Sequence, residues 1–233
     1  MVGGTFQAAT YNIHRCIGRG GRRDVDRVTR VLQHLDASII ALQEVETLIG
    51  RGAEHDQFVF LGSSLAMRSI PGPTMLRADA TYGNVLLTSH RVLEVRHHDL
   101  RVPGREIRGA LDVDLEVQGR TVRVVSIHLG LRRREREAQI ERLLHIVEGE
   151  SQPLLLLGDF NEWWPRSPRL RRLAAIGSVD APPTFPAQLP LVAVDRIIAG
   201  PGLVVEHIEA VRSGEAAAAS DHLPLRARLR LCT

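Results

Sequence analysis

The segment Leu111-Asp-Val-Asp-Leu-Glu-Val117 alternates apolar and acidic side chains without a break. A period of two puts every leucine and valine on one face of an extended chain and every acid on the other, which a helix cannot do. Gln118-Gly119 supplies a turn and Thr121 to Leu129 runs back, so the pattern predicts a hairpin with one face turned to a core. Such a hairpin needs a second layer to cover its apolar face.

The rest of the chain supplies those layers. Strand-like runs are read at Phe6 to Ile13, Ser38 to Leu42, Asn84 to Thr88, Val92 to Arg96, Leu154 to Leu157, Val194 to Ala199, Val204 to Val211 and Leu223 to Leu231. The apolar segment Phe58-Val-Phe60-Leu-Gly is expected to be a core strand. Val28, Val31, Leu32 and Leu35 recur at helical spacing after Asp24, a natural N-cap. Arg132 to Val147 reads as a charged amphipathic helix with Ile140, Leu143, Leu144 and Val147 on its apolar side, and Ser167-Pro168 opens a short helix. Gly72-Pro73, Ala181 to Pro190 and Glu215 to Ala219 are expected to be loops. No low-complexity linker divides the chain, so residues 1–233 are expected to form one domain of mixed α/β (α+β) type, sheets packed together with helices outside.

Composition narrows the chemistry. All 30 basic residues counted as Lys or Arg are arginine. With no lysine, a Schiff-base lysine, a lysine general base and a Walker-type phosphate loop are excluded. A net charge of +3 permits an anionic substrate without demanding one. Cys16 and Cys232 have no metal or redox spacing and read as reduced thiols. The N-terminus lacks the basic and apolar regions of a signal peptide, and Leu154–Leu157 is far short of a membrane span, so a cytoplasmic location is expected.

Several apolar runs end on polar residues. They close as Thr-Tyr-Asn12-Ile-His14, Leu-Gln43-Glu44, Ser-Ile-His128-Leu-Gly and Leu-Gly-Asp159-Phe-Asn161, with Val-Asp195-Arg196 and Ser220-Asp221-His222 later. Strand ends of a packed sheet converge at one rim, where sites form. Carboxylates with an amide make a hard, oxygen-rich set that suits Mg²⁺ or Mn²⁺ rather than zinc. Each piece alone reads as an ordinary turn, cap or core histidine; no single folding requirement asks for all of them together. The asparagines sharpen the pattern, because the chain holds only Asn12, Asn84 and Asn161.

Read in order, Thr10-Tyr11-Asn12-Ile13-His14, Leu42-Gln43-Glu44, Tyr82-Gly83-Asn84, Arg108-Gly109-Ala110, Ile127-His128-Leu129, Gly158-Asp159-Phe160-Asn161, Val194-Asp195-Arg196 and Ser220-Asp221-His222 resemble the endonuclease/exonuclease/phosphatase superfamily. The resemblance runs from Phe6 to Leu231. It implies a four-layer sandwich, two mixed β-sheets face to face with helices outside, and a divalent-metal-dependent phosphoester hydrolase. Glu44 resembles the principal metal carboxylate, with Asn12 and Asp221 in support. His222 resembles the catalytic histidine and Asp195 its orienting carboxylate. Asp159 resembles the group that aligns or deprotonates the attacking water. Asn161 and His128 match phosphate-contacting positions, Asn84 matches a supporting one, and Arg108 is a further candidate phosphate contact.

The ester itself is less constrained. Nuclease-type phosphodiester hydrolysis leads, and the same chemistry on a lipid headgroup or other small phosphoester is the alternative. A catalytically silent binding protein is disfavoured by the complete set of acids, amides and histidines. Trp163-Trp164 follows the Asp159–Asn161 motif near the site rim: either one ring packs in the core, or one, with Trp163 the candidate substrate contact, stacks on a base or sits at a lipid interface. Arg132–Arg134, Arg136, Arg166, Arg169, Arg171 and Arg172 form either a basic collar or a solvated face paired with Glu135, Glu137 and Glu141. A collar suits a nucleic-acid backbone or a peripheral contact with an anionic membrane.

Overall fold

A computed structural model describes residues 4–51, 56–76, 78–149, 152–212 and 214–232. Its frame is two mixed sheets. The six-stranded sheet has the order β10-β11-β1-β2-β4-β3 and the five-stranded sheet the order β5-β6-β7-β8-β9, with β5 at Arg91–Asp99 and β10 at Leu203–Ala210. The predicted hairpin is β6 (Gly109–Val117) and β7 (Arg120–His128), paired antiparallel from Ala110↔Ile127 to Val117↔Arg120. Leu111, Val113, Leu115 and Val117 point into a core shared with Ala8, Ile39, Leu86 and Leu229 of the facing sheet. The alternation read from the sequence is therefore the seam of a sandwich.

Helices cover both outer faces. Helices α1 (Val25–Gln33), α2 (Gln57–Ser64) and α5 (Ala216–Ala219) pack on the six-stranded sheet through Val28, Leu32, Phe58, Leu61 and Ala219. Helices α3 (Arg133–Val147) and α4 (Pro168–Leu173) cover the other sheet through Ile140, Leu143, Leu170 and Leu173. The Asp24 carboxylate accepts from the Arg27 N–H at 2.8 Å, and the Ser167 hydroxyl caps α4 at Leu170. No described helix is long and apolar enough to cross a membrane.

Three local expectations are corrected. Phe58 to Gly62 is helical, because Asp56 caps the segment and Phe58, Leu61 and Gly62 are buried at helical spacing while Val59 faces out. A short apolar run carries no period of its own, so the cap decides. Gly72-Pro73 lies inside β3 (Arg68–Leu76), an edge strand, where a missing proline N–H costs no ladder bond on the open side. Glu215 to Ala219 holds the single-turn helix α5, which buries Ala216 and Ala219.

The register brings the motif ends together. β1 (Thr5–Asn12) runs parallel to β2 (Ile39–Leu48), with Asn12 beside Gln43. β7 runs parallel to β8 (Leu154–Asp159), with His128 beside Asp159, and β9 (Asp195–Ala199) returns antiparallel with Asp195 beside Asp159. β11 (Leu225–Leu231) is antiparallel to β1 and starts opposite Thr10, so residues 220–224 sit over the same end.

Candidate active site at the sandwich rim

A cleft of about 490 Å³ opens where these ends meet, lined by Asn12, Glu44, Arg108, His128, Asp159, Asn161, Trp163, Asp221 and His222 among others. Nine of the residues singled out from the sequence thus share one cavity. Asp195 is buried behind His222, and Asn84 is buried on β4 (Ala80–Thr88) away from the lining.

Asp159 is the hub. Its Oδ2 accepts from the Asn12 amide at 3.1 Å and faces His128 Nε2 at 3.5 Å and His222 Nε2 at 3.8 Å. Its Oδ1 accepts the Asn161 N–H at 2.8 Å. The Asn12 amide also donates to Glu44 Oε1 at 3.1 Å, so one side chain bridges the two carboxylates. Its Oδ1 accepts the His14 N–H at 3.0 Å, which fixes the direction of the amide. The Asn161 amide donates to the Leu129 carbonyl at 2.9 Å and ties the loop after β8 to the loop after β7.

His222 Nδ1 meets Asp195 Oδ2 at 2.9 Å, and the Thr184 hydroxyl donates to that oxygen at 2.6 Å. Burial works against an imidazolium here, but Asp195, Asp159 and Asp221 outweigh it and raise the His222 pKa above the usual histidine range. His128 goes the other way: burial, with Arg108 and His222 nearby, holds it well below its ordinary value and neutral. Burial pushes the Asp159 carboxyl upward, against the charge of His222. One carboxylate thus stands between a charged and a neutral imidazole.

The backbone is bent to aim these groups. β2 is longer than predicted because it continues past a register shift between Leu42 and Val45, where Glu44 adopts φ 57°. Asn161 has φ 51°, and His14, Arg15 and Cys16 form a short turn with φ 46°, 55° and 59°. Left-handed backbone at non-glycine residues costs on the order of 1–2 kcal/mol each and clusters at functional sites.

Several cleft residues have no clear sequence signal. Arg15 lines the cavity from the left-handed turn, which lacks the glycine that would announce it. Phe185 packs against His222 with ring centroids 5.0 Å apart and against Trp163 at 5.6 Å, the rings tilted by 50° and 58°, forming an aromatic wall. Both tryptophans are exposed, against the reading in which one packs in the core. Glu162 is buried between Arg136 and Arg169, so these two arginines belong to an internal clamp rather than to a solvated face or collar. Arg136 also donates to the Gly130 and Leu131 carbonyls at 3.1 and 2.7 Å, bracing the two loops against each other. Arg108 is engaged by Glu106 at 3.0 Å.

Asp159, Asp195 and His222 offer ligand atoms within 4.8 Å of one another, a set able to hold a cation. Glu44 and Asp221 present further carboxylates to the same cleft.

Comparison with known proteins agrees with this architecture. The chain is 26% identical over 257 residues to YbhP of Escherichia coli (strain K12), covering 97% of each chain. The endonuclease/exonuclease/phosphatase from Beutenbergia cavernae DSM 12333 superposes with a TM-score of 0.81 at 23% identity, over 97% of this chain and 72% of that one. The human Nocturnin catalytic domain with bound sulfate anion gives 0.74 at 19% identity, over 98% of this chain and 94% of that one. Residues 9–222 match the Endonuclease/Exonuclease/phosphatase family, whose members are phosphoester hydrolases. The chain belongs to that family.

Proposed function

We propose that the protein is a divalent-metal-dependent phosphodiesterase with nuclease-type chemistry. The observation that carries this reading is the placement of Asp159 Oδ2 between Asn12, His128 and His222 in a cleft that also holds Glu44. Glu44, with Asp221, would hold the cation, and Asn12, whose amide N–H donates to Glu44, would orient that carboxylate. The donors fit Mg²⁺ or Mn²⁺ because they are hard carboxylate oxygens, with no cysteine in the cleft lining. The trio of Asp159, Asp195 and His222 is a poorer home, since the imidazolium already supplies a positive charge between its carboxylates. When bound, a divalent cation offsets charge on the phosphate oxygens.

The chain's own groups supply the rest. Asp159, its proton affinity raised by burial, orients water and accepts its proton as the oxygen attacks phosphorus. His222, held by Asp195, presents an N–H at Nε2 to the charge that builds on the phosphate or on the departing oxygen. Asn161 contacts the phosphate with no added negative charge. His128, neutral, offers a hydrogen bond on the other side of Asp159. Arg108 and Trp163 contact substrate farther from phosphorus, and Asn84 supports His128 from the strand behind. The test is hydrolysis of bis(p-nitrophenyl) phosphate: turnover with Mg²⁺ or Mn²⁺ that EDTA abolishes and added metal restores is expected. Equal turnover in EDTA would overturn the reading.

A further inference from the structure

The five most exposed large apolar side chains among the described residues are Leu76, Leu131, Trp164, Leu189 and Leu191, each 66–78% exposed. One of the five lines the cleft described above, and the other four lie within six residues, along the chain, of residues that do. Leu131 lines it, and Leu76 follows Met75, which also does. Trp164 follows Trp163 of the aromatic wall. Leu189 and Leu191 lie on the loop whose N–H groups donate to the Pro186 and Phe185 carbonyls, at 3.1 and 2.9 Å. Of the remaining exposed large apolar residues, Trp163 also lines the cleft, while Val59 lies on α2, Leu93 and Val95 on β5 and Val204 on β10. Isolated apolar residues are ordinary on a surface, but several of them on the segments that form one opening mark an interaction site.

Charge singles out the occupant. Arg133 and Arg134 follow Leu131, and Arg166 follows Trp164; all three are exposed, and none has an ion pair among the described residues. Aliphatic tips beside uncommitted guanidinium groups match a layer that is apolar within and anionic at its face. A nucleic-acid strand would use the arginines and a stacked tryptophan, but it offers nothing to four protruding leucines.

We propose that this mouth docks the protein on an anionic lipid surface and that the ester hydrolysed is the phosphodiester of a lipid headgroup. The second half rests on the phosphodiesterase reading; the docking does not. In this arrangement Leu131, Trp164, Leu189 and Leu191 enter the interface, the arginines meet anionic headgroups, and the cleft opens toward the headgroup layer.

Co-sedimentation with vesicles tests it. Wild-type protein is expected to bind vesicles of equal parts phosphatidylglycerol and phosphatidylcholine at least about tenfold better than phosphatidylcholine alone, with the preference lost at high salt. W164S/L191S should lose most of this binding yet still cleave soluble bis(p-nitrophenyl) phosphate, because neither residue lines the cleft. R133E/R134E should lose the preference for anionic vesicles. Wild-type protein that stays in the supernatant, or W164S/L191S that sediments like wild type, would overturn the docking. So would a single-stranded oligonucleotide that binds more tightly than the vesicles and whose binding W164S/L191S alone disrupts. If the wild type cleaves no diester with metal but still sediments, the activity reading fails and the docking stands. If it cleaves the soluble diester and binds vesicles but releases no product from them, the lipid-substrate half is overturned.

Discussion

Asp112 and Asp159 are both fully buried aspartates on the five-stranded sheet, and their surroundings are opposite. Asp112 lies on the outer face of β6 and accepts from Arg96 at 3.0 and 3.1 Å, from Arg123 at 2.6 and 3.0 Å, and faces His98 at 2.7 Å. Burial would raise its pKa, but these cations hold it well below the usual carboxylate range. Asp159 has an amide, a backbone N–H and two imidazoles, and burial pushes it up. Opposing cations saturate the first carboxylate and make it part of the frame. The second keeps an oxygen facing groups that can exchange protons, which leaves it able to react.

Activity and stability should therefore separate between the two clusters. The largest expected effect is at the cleft. Glu44→Gln should reduce diester hydrolysis to background while leaving the melting curve near that of wild type, and His222→Ala should cost on the order of 10²–10⁴-fold in kcat. A near-normal rate in either variant would remove that residue from the proposed roles. Asp112→Asn should do the reverse, losing about 3–5 kcal/mol in urea titration because buried arginine charge is left uncompensated, with kcat of the folded protein little changed. A large fall in kcat there would erase the contrast.

A smaller effect sharpens the comparison. Arg136 serves both worlds, paired with Glu162 and bonded to the loop that follows His128. Arg136→Met keeps Glu162 compensated by Arg169, so the fold should persist while kcat drops on the order of 10-fold through loosened loops. Steady-state kinetics beside circular dichroism would check this. The smallest effect is in pH. A carboxylate whose folded pKa is depressed contributes stability above its unfolded value near about 3.9 and loses it as pH falls toward the folded one. Wild type should lose stability below that range more steeply than Asp112→Asn.

Periodicity made the hairpin legible, because alternation over Leu111–Val117 survives burial of both faces. The strand-end motifs were legible for a related reason: Asn12, Glu44, His128 and Asp159 close apolar runs that read as strands and do form them. What the sequence hid depends on contacts between distant segments. The bond from Thr184 to Asp195, the clamp around Glu162 and the tilted contact of Phe185 with His222 carry no local signature. The prolines of β3 hid a strand for a different reason, since only its place at the sheet edge makes them tolerable.

The kink at Glu44 reverses a familiar rule of substitution. Within a strand, alanine ordinarily holds a protein together better than glycine, because it leaves the unfolded chain less freedom. At φ 57° the preference should invert, with Glu44→Gly expected to melt above Glu44→Ala although both are expected to be inactive. The same position would then be the costliest residue to lose for turnover and among the easiest to relax for rigidity, so selection for heat resistance alone would push this chain toward silence at its own active site.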